Sequence, residues 1–236
     1  MTGGHHRVQR VLGAGLLDKV PRDHMEPDAA FHRRRAVVLA TLVVGATLLG
    51  FSLSVRAGDP AFYWLTAALA ATWFLGGVAS GPLHLGRIRF RTELRRPLVT
   101  PIVLGLAAAA VFVVGALIIR EIGPLRALTD DVLEHARRGS LLLVLAVTVL
   151  NGIAEEIFFR GALFAAVGQY RPVAVSTGIY TLTTFATANP MLVLAAAALG
   201  TLLGLQRRAS GGILAPVLTH VTWSGAMLFA LPPLFQ

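Results

Sequence analysis

The stretch Asn151-Gly-Ile-Ala-Glu-Glu-Ile-Phe-Phe-Arg-Gly161 places two adjacent carboxylates and a guanidinium inside an apolar run. That run begins near Leu141 and continues past Phe164. About 20 apolar residues, rising about 1.5 Å each, cross the roughly 30 Å hydrocarbon core of a bilayer. An ionised side chain at that depth costs at least a few kcal/mol, so such groups face a polar interior and serve a function. Of the twelve acids in the chain, Glu155 and Glu156 alone lie within an apolar span. The others, from Asp18 to Glu134, precede the spans or fall between them.

Outward from this stretch the chain reads as all-α, a polytopic membrane bundle of about seven transmembrane helices. Apolar runs at about 36–55, 61–82, 98–119, 141–164, 172–188, 190–206 and 211–234 are the expected spans. Only 14% of the residues are charged and 55% are hydrophobic, with a mean hydropathy of +0.69. A soluble domain carries about 25% charged residues. Cysteine is absent, which excludes disulfides, thiolate metal sites and a thiol nucleophile. The net charge of +9 does not point to nucleic acid, because the arginines cluster at the ends of apolar runs, as membrane topology requires.

Three regions are expected: a basic N-terminal tail at 1–35, three transmembrane helices within 36–119, and a four-helix core at 140–234. In the tail, Val8, Val11, Leu12, Leu16 and Leu17 recur at helical spacing beside Arg7, Arg10 and Lys19. This is either an interfacial amphipathic helix or a basic tail that only sets topology. The connection 120–140 mixes acids and arginines and suits a short surface helix without catalytic content. Asn189-Pro190 forces a tight hairpin between the fifth and sixth spans, and Gly200 and Gly204 permit close helix approach. Arginines 33–35, 87, 89, 91, 95, 96, 171, 207 and 208 share one side, against 56, 120, 126, 137 and 138 on the other. The expectation is therefore an integral protein of a bacterial plasma membrane, with its N-terminus cytoplasmic and its C-terminus outside.

Three of the later spans carry polar groups at helical spacing. Glu156 and Arg160 are i,i+4, suited to an ion pair, which leaves Glu155 pointing elsewhere. Tyr180 and Thr184 are i,i+4 on the fifth span, and His220 and Ser224 on the seventh. Of the seven histidines, His220 alone lies within a span. Depths counted from the span ends let these groups meet in the cytoplasmic half of the membrane. Serine and threonine in helices also bond back to their own backbone, so Thr184 and Ser224 remain open to a purely local role. An ion pair that only holds the helices together is the alternative for Glu156 and Arg160.

Glu155-Glu156-Ile-Phe-Phe-Arg160 resembles the first motif, Glu-Glu-x-x-x-Arg, of the CPBP intramembrane proteases, which include CAAX prenyl endopeptidases and bacteriocin-processing proteins. Gly211-Gly-Ile-Leu-Ala-Pro-Val-Leu-Thr-His220 is similar to the last motif of that family, and the resemblance covers about 140–230. It implies Glu155 as the base that activates water, a structural Glu156–Arg160 pair, and His220 polarising the carbonyl or stabilising the oxyanion. Tyr180, Thr184 and Ser224 would support them. Two positions depart from the pattern. Thr184 stands where the middle motif, Phe-x-x-x-His, has histidine, and Ser224 stands where asparagine is common. Threonine cannot exchange a proton near neutral pH. Zinc is implied by the family alone, with Glu155 and His220 as its ligands if any.

The resemblance implies an intramembrane endopeptidase acting from the cytoplasmic side on a membrane-associated protein or peptide. A catalytically inactive scaffold of the same fold is the alternative, supported by Thr184. A transporter or proton relay is disfavoured, because no inverted repeat or pair of broken helices is evident.

Overall fold

The computed structural model describes residues 12–21, 26–90 and 92–236. Among these residues eight helices carry the fold: α1 (Asp28–Ser54), α2 (Pro60–Ala79), α3 (Val99–Ile119), α4 (Gly123–Arg138), α5 (Leu141–Val167), α6 (Pro172–Thr184), α7 (Pro190–Ser210) and α8 (Leu214–Ala230). A small antiparallel hairpin, β1 (Ile88–Phe90) and β2 (Glu93–Arg95), lies in the basic connection before α3. Their starts follow local chemistry. Asp59 accepts a hydrogen bond from the Ala61 amide and Asn189 from the Met191 amide, each followed by proline at the first helical position.

Among the described residues six helices are long and apolar enough to cross a membrane: α1, α2, α3, α5, α7 and α8 with its C-terminal extension. The protein is an integral membrane helical bundle. The fifth expected span is the exception. α6 has 13 residues, and the chain after it tightens into a 3₁₀ turn at Phe185–Thr187. Its hydroxyls at Thr183, Thr184 and Thr187 bond back to backbone carbonyls. It still runs from one end of the bundle to the other, since Asn189 Nδ2 donates to the Leu128 carbonyl of α4 at 2.7 Å.

The connections sort to two ends. One end gathers α4, the α6–α7 turn and the C-terminus, where Arg137 Nη2 donates to the Phe235 carbonyl at 3.1 Å. The other gathers the arginine-rich loops. There the loop before β1 is laced to the start of α8 by Ile213 N–H to His84 O and Leu214 N–H to Leu85 O. Gly86 and Gly212 meet backbone to backbone at that crossing, where no side chain fits.

Of the tail, Val8 and Val11 with Arg7 and Arg10 lie outside the described residues. Leu12 is helical and Gly13–Leu17 forms a π turn, with Gly15 against Thr100 and Leu104 and the Val20 amide on Ala209 O at 3.2 Å. The expected surface helix in 120–140 is α4.

The core lies where α1, α2 and α5 cross. Trp73 packs on Phe158 and Phe159, with ring centroids 4.7 and 5.0 Å apart, and its ring presses directly on Gly45 of α1. Around it Leu69, Val38, Ala154 and Leu163 are buried, whereas Leu39, Val43 and Val111 face outward as lipid-facing residues do. In lipid, helix association rests on close packing of small residues rather than on leaving water. Gly200 and Gly204 serve that end, set against Thr177 and Val173 of α6.

Candidate active site

The acidic stretch does not stay α-helical. From Glu156 to Leu163 the backbone of α5 is π-helical. Such wide, i→i+5 turns are rare and concentrate at functional sites. The segment lies in the second half of the span, every residue of it buried. A neighbouring arginine engages its backbone, for Arg207 Nε of α7 donates to the Arg160 carbonyl at 2.6 Å. The Arg207 guanidinium also lies 5.0 Å over the Phe164 ring.

The two carboxylates face different surroundings. Glu156 is 0% exposed, and one of its oxygens, Oε1, meets both Arg160 Nη1 at 2.7 Å and His220 Nδ1 at 2.8 Å. The expected ion pair forms along α5, and a histidine from α8 joins it. An ionised carboxylate only accepts, so the proton on His220 sits on Nδ1. In the neutral ring Nε2 is then a lone pair. Glu155 instead faces a cavity of about 170 Å³ and accepts a hydrogen bond on Oε2 from the Tyr180 hydroxyl at 2.8 Å. The Arg160 guanidinium lies 4.6 Å over the Tyr180 ring, and Phe159 packs on that ring at 4.6 Å. Arg160 thus clamps both the buried acid and the tyrosine that holds the accessible one.

The structure brings Glu155, Tyr180, Thr184 and His220 to one cavity. The Thr184 hydroxyl is engaged with the Tyr180 carbonyl at 2.9 Å. Ser224 lies one turn beyond, outside the lining, with its hydroxyl 3.4 Å from the Val221 carbonyl. Two groups escaped sequence reasoning. Trp223 lines the cavity, and an apolar residue in an apolar span carries no signal. Arg207 read as a topology arginine and instead braces the π segment.

The cavity also has a direction. Beyond Glu155 and His220 it is lined by Leu53, Thr187 and Leu192, which lie toward the end carrying α4. None of its lining residues comes from the arginine-rich loops. Residue spacing alone could not show which helices splay apart.

The zinc implied by the resemblance fits these residues poorly. A catalytic zinc site takes three protein ligands. Glu155 and His220 are the candidate ligands lining the cavity, while Glu156 Oε1 is engaged by Arg160 and His220. Among the described residues no group of three or more His, Cys, Asp or Glu side chains converges as a metal site.

At the arginine-rich end a second polar cluster closes the bundle. Arg34 is 1% exposed and binds Glu26, the Ser80 hydroxyl and the Pro82 carbonyl. The hydrogen bond from Arg34 holds the Glu26 carboxyl below its ordinary range. His84 nearby is held below the usual histidine range by burial and by the charges of Arg207 and Arg34.

A model of a known protein family matches part of the chain. Residues 137–226 fit the family model described as type II CAAX prenyl endopeptidase, Rce1-like. No curated protein and no solved structure matches the chain. The matched segment contains Glu155, Glu156, Arg160, Tyr180, Thr184, His220 and Ser224, and over it the chain is similar to the Rce1-like type II CAAX prenyl endopeptidases, in agreement with the resemblance its motifs carry.

Proposed function

We propose that this protein is an intramembrane endopeptidase that hydrolyses a peptide bond of a membrane-associated protein or peptide with a water activated by Glu155. One observation carries the reading: a cavity-facing carboxylate at mid-span, held on one oxygen by Tyr180, beside a second carboxylate locked by Arg160 and His220. A structural ion pair needs only one acid. With Oε2 held by Tyr180, Oε1 of Glu155 is left to take a proton from water as the water oxygen attacks the carbonyl carbon. The same carboxyl then delivers that proton to the departing nitrogen. His220, held through Nδ1 by Glu156, keeps its other ring nitrogen for polarising the carbonyl. No step here runs through a metal.

The arginine asymmetry supports a bacterial plasma-membrane protein with its N-terminus cytoplasmic and its C-terminus outside. In that orientation the cavity leads from mid-membrane toward the outer face. The bilayer and a membrane-associated peptide are its partners.

A second reading, a catalytically inactive scaffold, draws on the Thr184 hydroxyl, which bonds its own helix and supplies no proton. One experiment separates the two. Membrane-protein N- and C-termini are compared by mass spectrometry in cells lacking the protein, restored with wild type or with Glu155→Gln. Termini present only with wild type support the peptidase. Identical termini, with both versions complementing a phenotype equally, would sink it in favour of the scaffold.

A further inference from the structure

A second cavity, of about 510 Å³, opens at the arginine-rich end and shares no lining residue with the one at Glu155. It lies between the N-terminal segment at Val20, the loop 83–87, the hairpin and the end of α7. Arg87, Arg96 and His84 line it, and none of its lining residues is acidic. The Arg96 guanidinium is fixed at the wall, because its Nη1 donates at 2.7 Å to the carbonyl of Gly86, which lines the same cavity. A guanidinium carries several N–H donors, and this bond uses one. The Arg87 side chain is exposed and makes no hydrogen bond or ion pair among the described residues.

The acids of this end are engaged elsewhere, Glu26 on Arg34 and Glu93 on Arg95. His84 registers the cationic excess. After burial, the charges of Arg207 and Arg34 hold it down, each outweighing the opposing charge of Glu26. Cations gathered without an acid take an anion, and guanidinium binds phosphate oxygens with particular strength.

The setting says which anion. The cavity sits where α2 and α7 end and α3 and α8 begin, the level at which hydrocarbon gives way to headgroups. Leu85 and Leu94 line it as well, although they are 50% and 39% exposed, and the outward-facing Leu98 and Val99 follow at the start of α3. Arginines bordered by exposed leucines suit a ligand that is anionic at one end and apolar at the other. Basic pockets among helices at a membrane surface bind anionic headgroups in this way.

We propose that this cavity binds an anionic phospholipid, its phosphate on Arg87 and Arg96 and the first part of its acyl chains on Leu85 and Leu94. The loop holding it is bonded to the start of α8 through the carbonyls of His84 and Leu85, so the bound lipid braces the helix that carries His220. The inference uses no residue of the Glu155 cavity and stands apart from the peptidase reading.

The test titrates the purified full chain in detergent with dioleoyl phosphatidylglycerol or dioleoyl phosphatidylcholine and follows retained lipid by native mass spectrometry. Wild type is compared with Arg87→Gln/Arg96→Gln and with Arg56→Gln/Arg120→Gln, which alters the loops of the other end. Wild type should retain phosphatidylglycerol about tenfold more tightly than phosphatidylcholine, and each arginine removed from the cavity should weaken it about fivefold. The Arg56/Arg120 variant should bind as wild type does. Arg87→Gln alone, which breaks no bond within the fold, supplies the same comparison if the lipid-free thermal midpoint shows that Arg96→Gln unsettles the loop. Equal retention of the two lipids overturns the inference, as does wild-type affinity in Arg87→Gln and in the double variant. Inorganic phosphate that displaces phosphatidylglycerol at millimolar concentration would mark a site for free phosphate and overturn the lipid assignment.

Discussion

Glu155 and Glu156 are neighbours in sequence with opposite consequences when changed. Removing Arg160 leaves the fully buried Glu156 with His220 as its remaining partner, and breaking a buried pair from one side costs about 3–5 kcal/mol. Arg160→Ala should therefore lower the unfolding midpoint in detergent sharply, whereas Glu155→Gln should leave it in place and abolish cleavage. Tyr180→Phe frees one Glu155 oxygen without emptying the ring stack on Phe159 and Arg160. Its kcat should fall on the order of 10²-fold with the fold intact, the loss expected when a general base is no longer positioned. At this scale the sequence showed what lipid makes conspicuous. A carboxylate, an arginine or a histidine in an apolar run stands out by charge, while Trp223 does not. Nor could spacing reveal that His220 would meet Glu156 rather than Glu155, since that depends on how α8 is rotated against α5.

Among the elements, the spans were readable from hydropathy, and their fine geometry was not. The π segment has the same residue pattern an α-helix would have, so its wider turn and the engaged Arg160 carbonyl left no trace in the sequence. α6 was read as long as its neighbours, but its end is rich in threonines that bond backward, and the helix tightens early. The glycines of α7 were legible as contact points, and the structure adds what they contact. A Cβ on Gly200 would lie 3.1 Å from Tyr180 Cδ1 and 3.3 Å from Arg160 Nη2. Gly200→Val should accordingly depress kcat more than stability, by shifting Tyr180 off Glu155. Gly45→Ala is the opposite case. Its methyl would enter the Trp73 ring in the core, and overpacking of that kind costs about 1–3 kcal/mol. Thermal unfolding in detergent, read beside peptide turnover, distinguishes the two.

For the molecule as a whole, stability should depend on pH through its arginine-rich end. Glu26 has a folded pKa held down by Arg34, so its contribution is present above the ordinary carboxylate range and is lost as pH falls through the depressed value. His84 is held down by burial first, so it favours the fold above about pH 6.5 and opposes it below. Both act in one direction, and the unfolding midpoint should drop as pH is lowered from about 7 to about 4. Glu26→Gln and His84→Phe together should flatten that profile. The absence of cysteine makes the direction of the cavity equally testable. A single cysteine at Thr187 should react with a membrane-impermeant maleimide added outside intact cells, and one at Arg171 only after permeabilisation. The reverse pattern would invert the orientation read from the arginines.

Under the peptidase reading, the position of Glu155 within an apolar span has a further consequence for the substrate. A transmembrane substrate enters the bilayer with every backbone carbonyl already bonded within its own helix. A cavity of about 170 Å³ admits a short extended segment and not a helix about 10 Å across. The scissile bond must therefore be unwound before it reaches the carboxylate, at the expense of hydrogen bonds that lipid cannot replace. Selection would then act on local unwinding before it acts on side-chain identity. Cleavage sites should lie beside glycine or proline, or within a turn of a helix end, and a helix stabilised by alanine at those positions should survive.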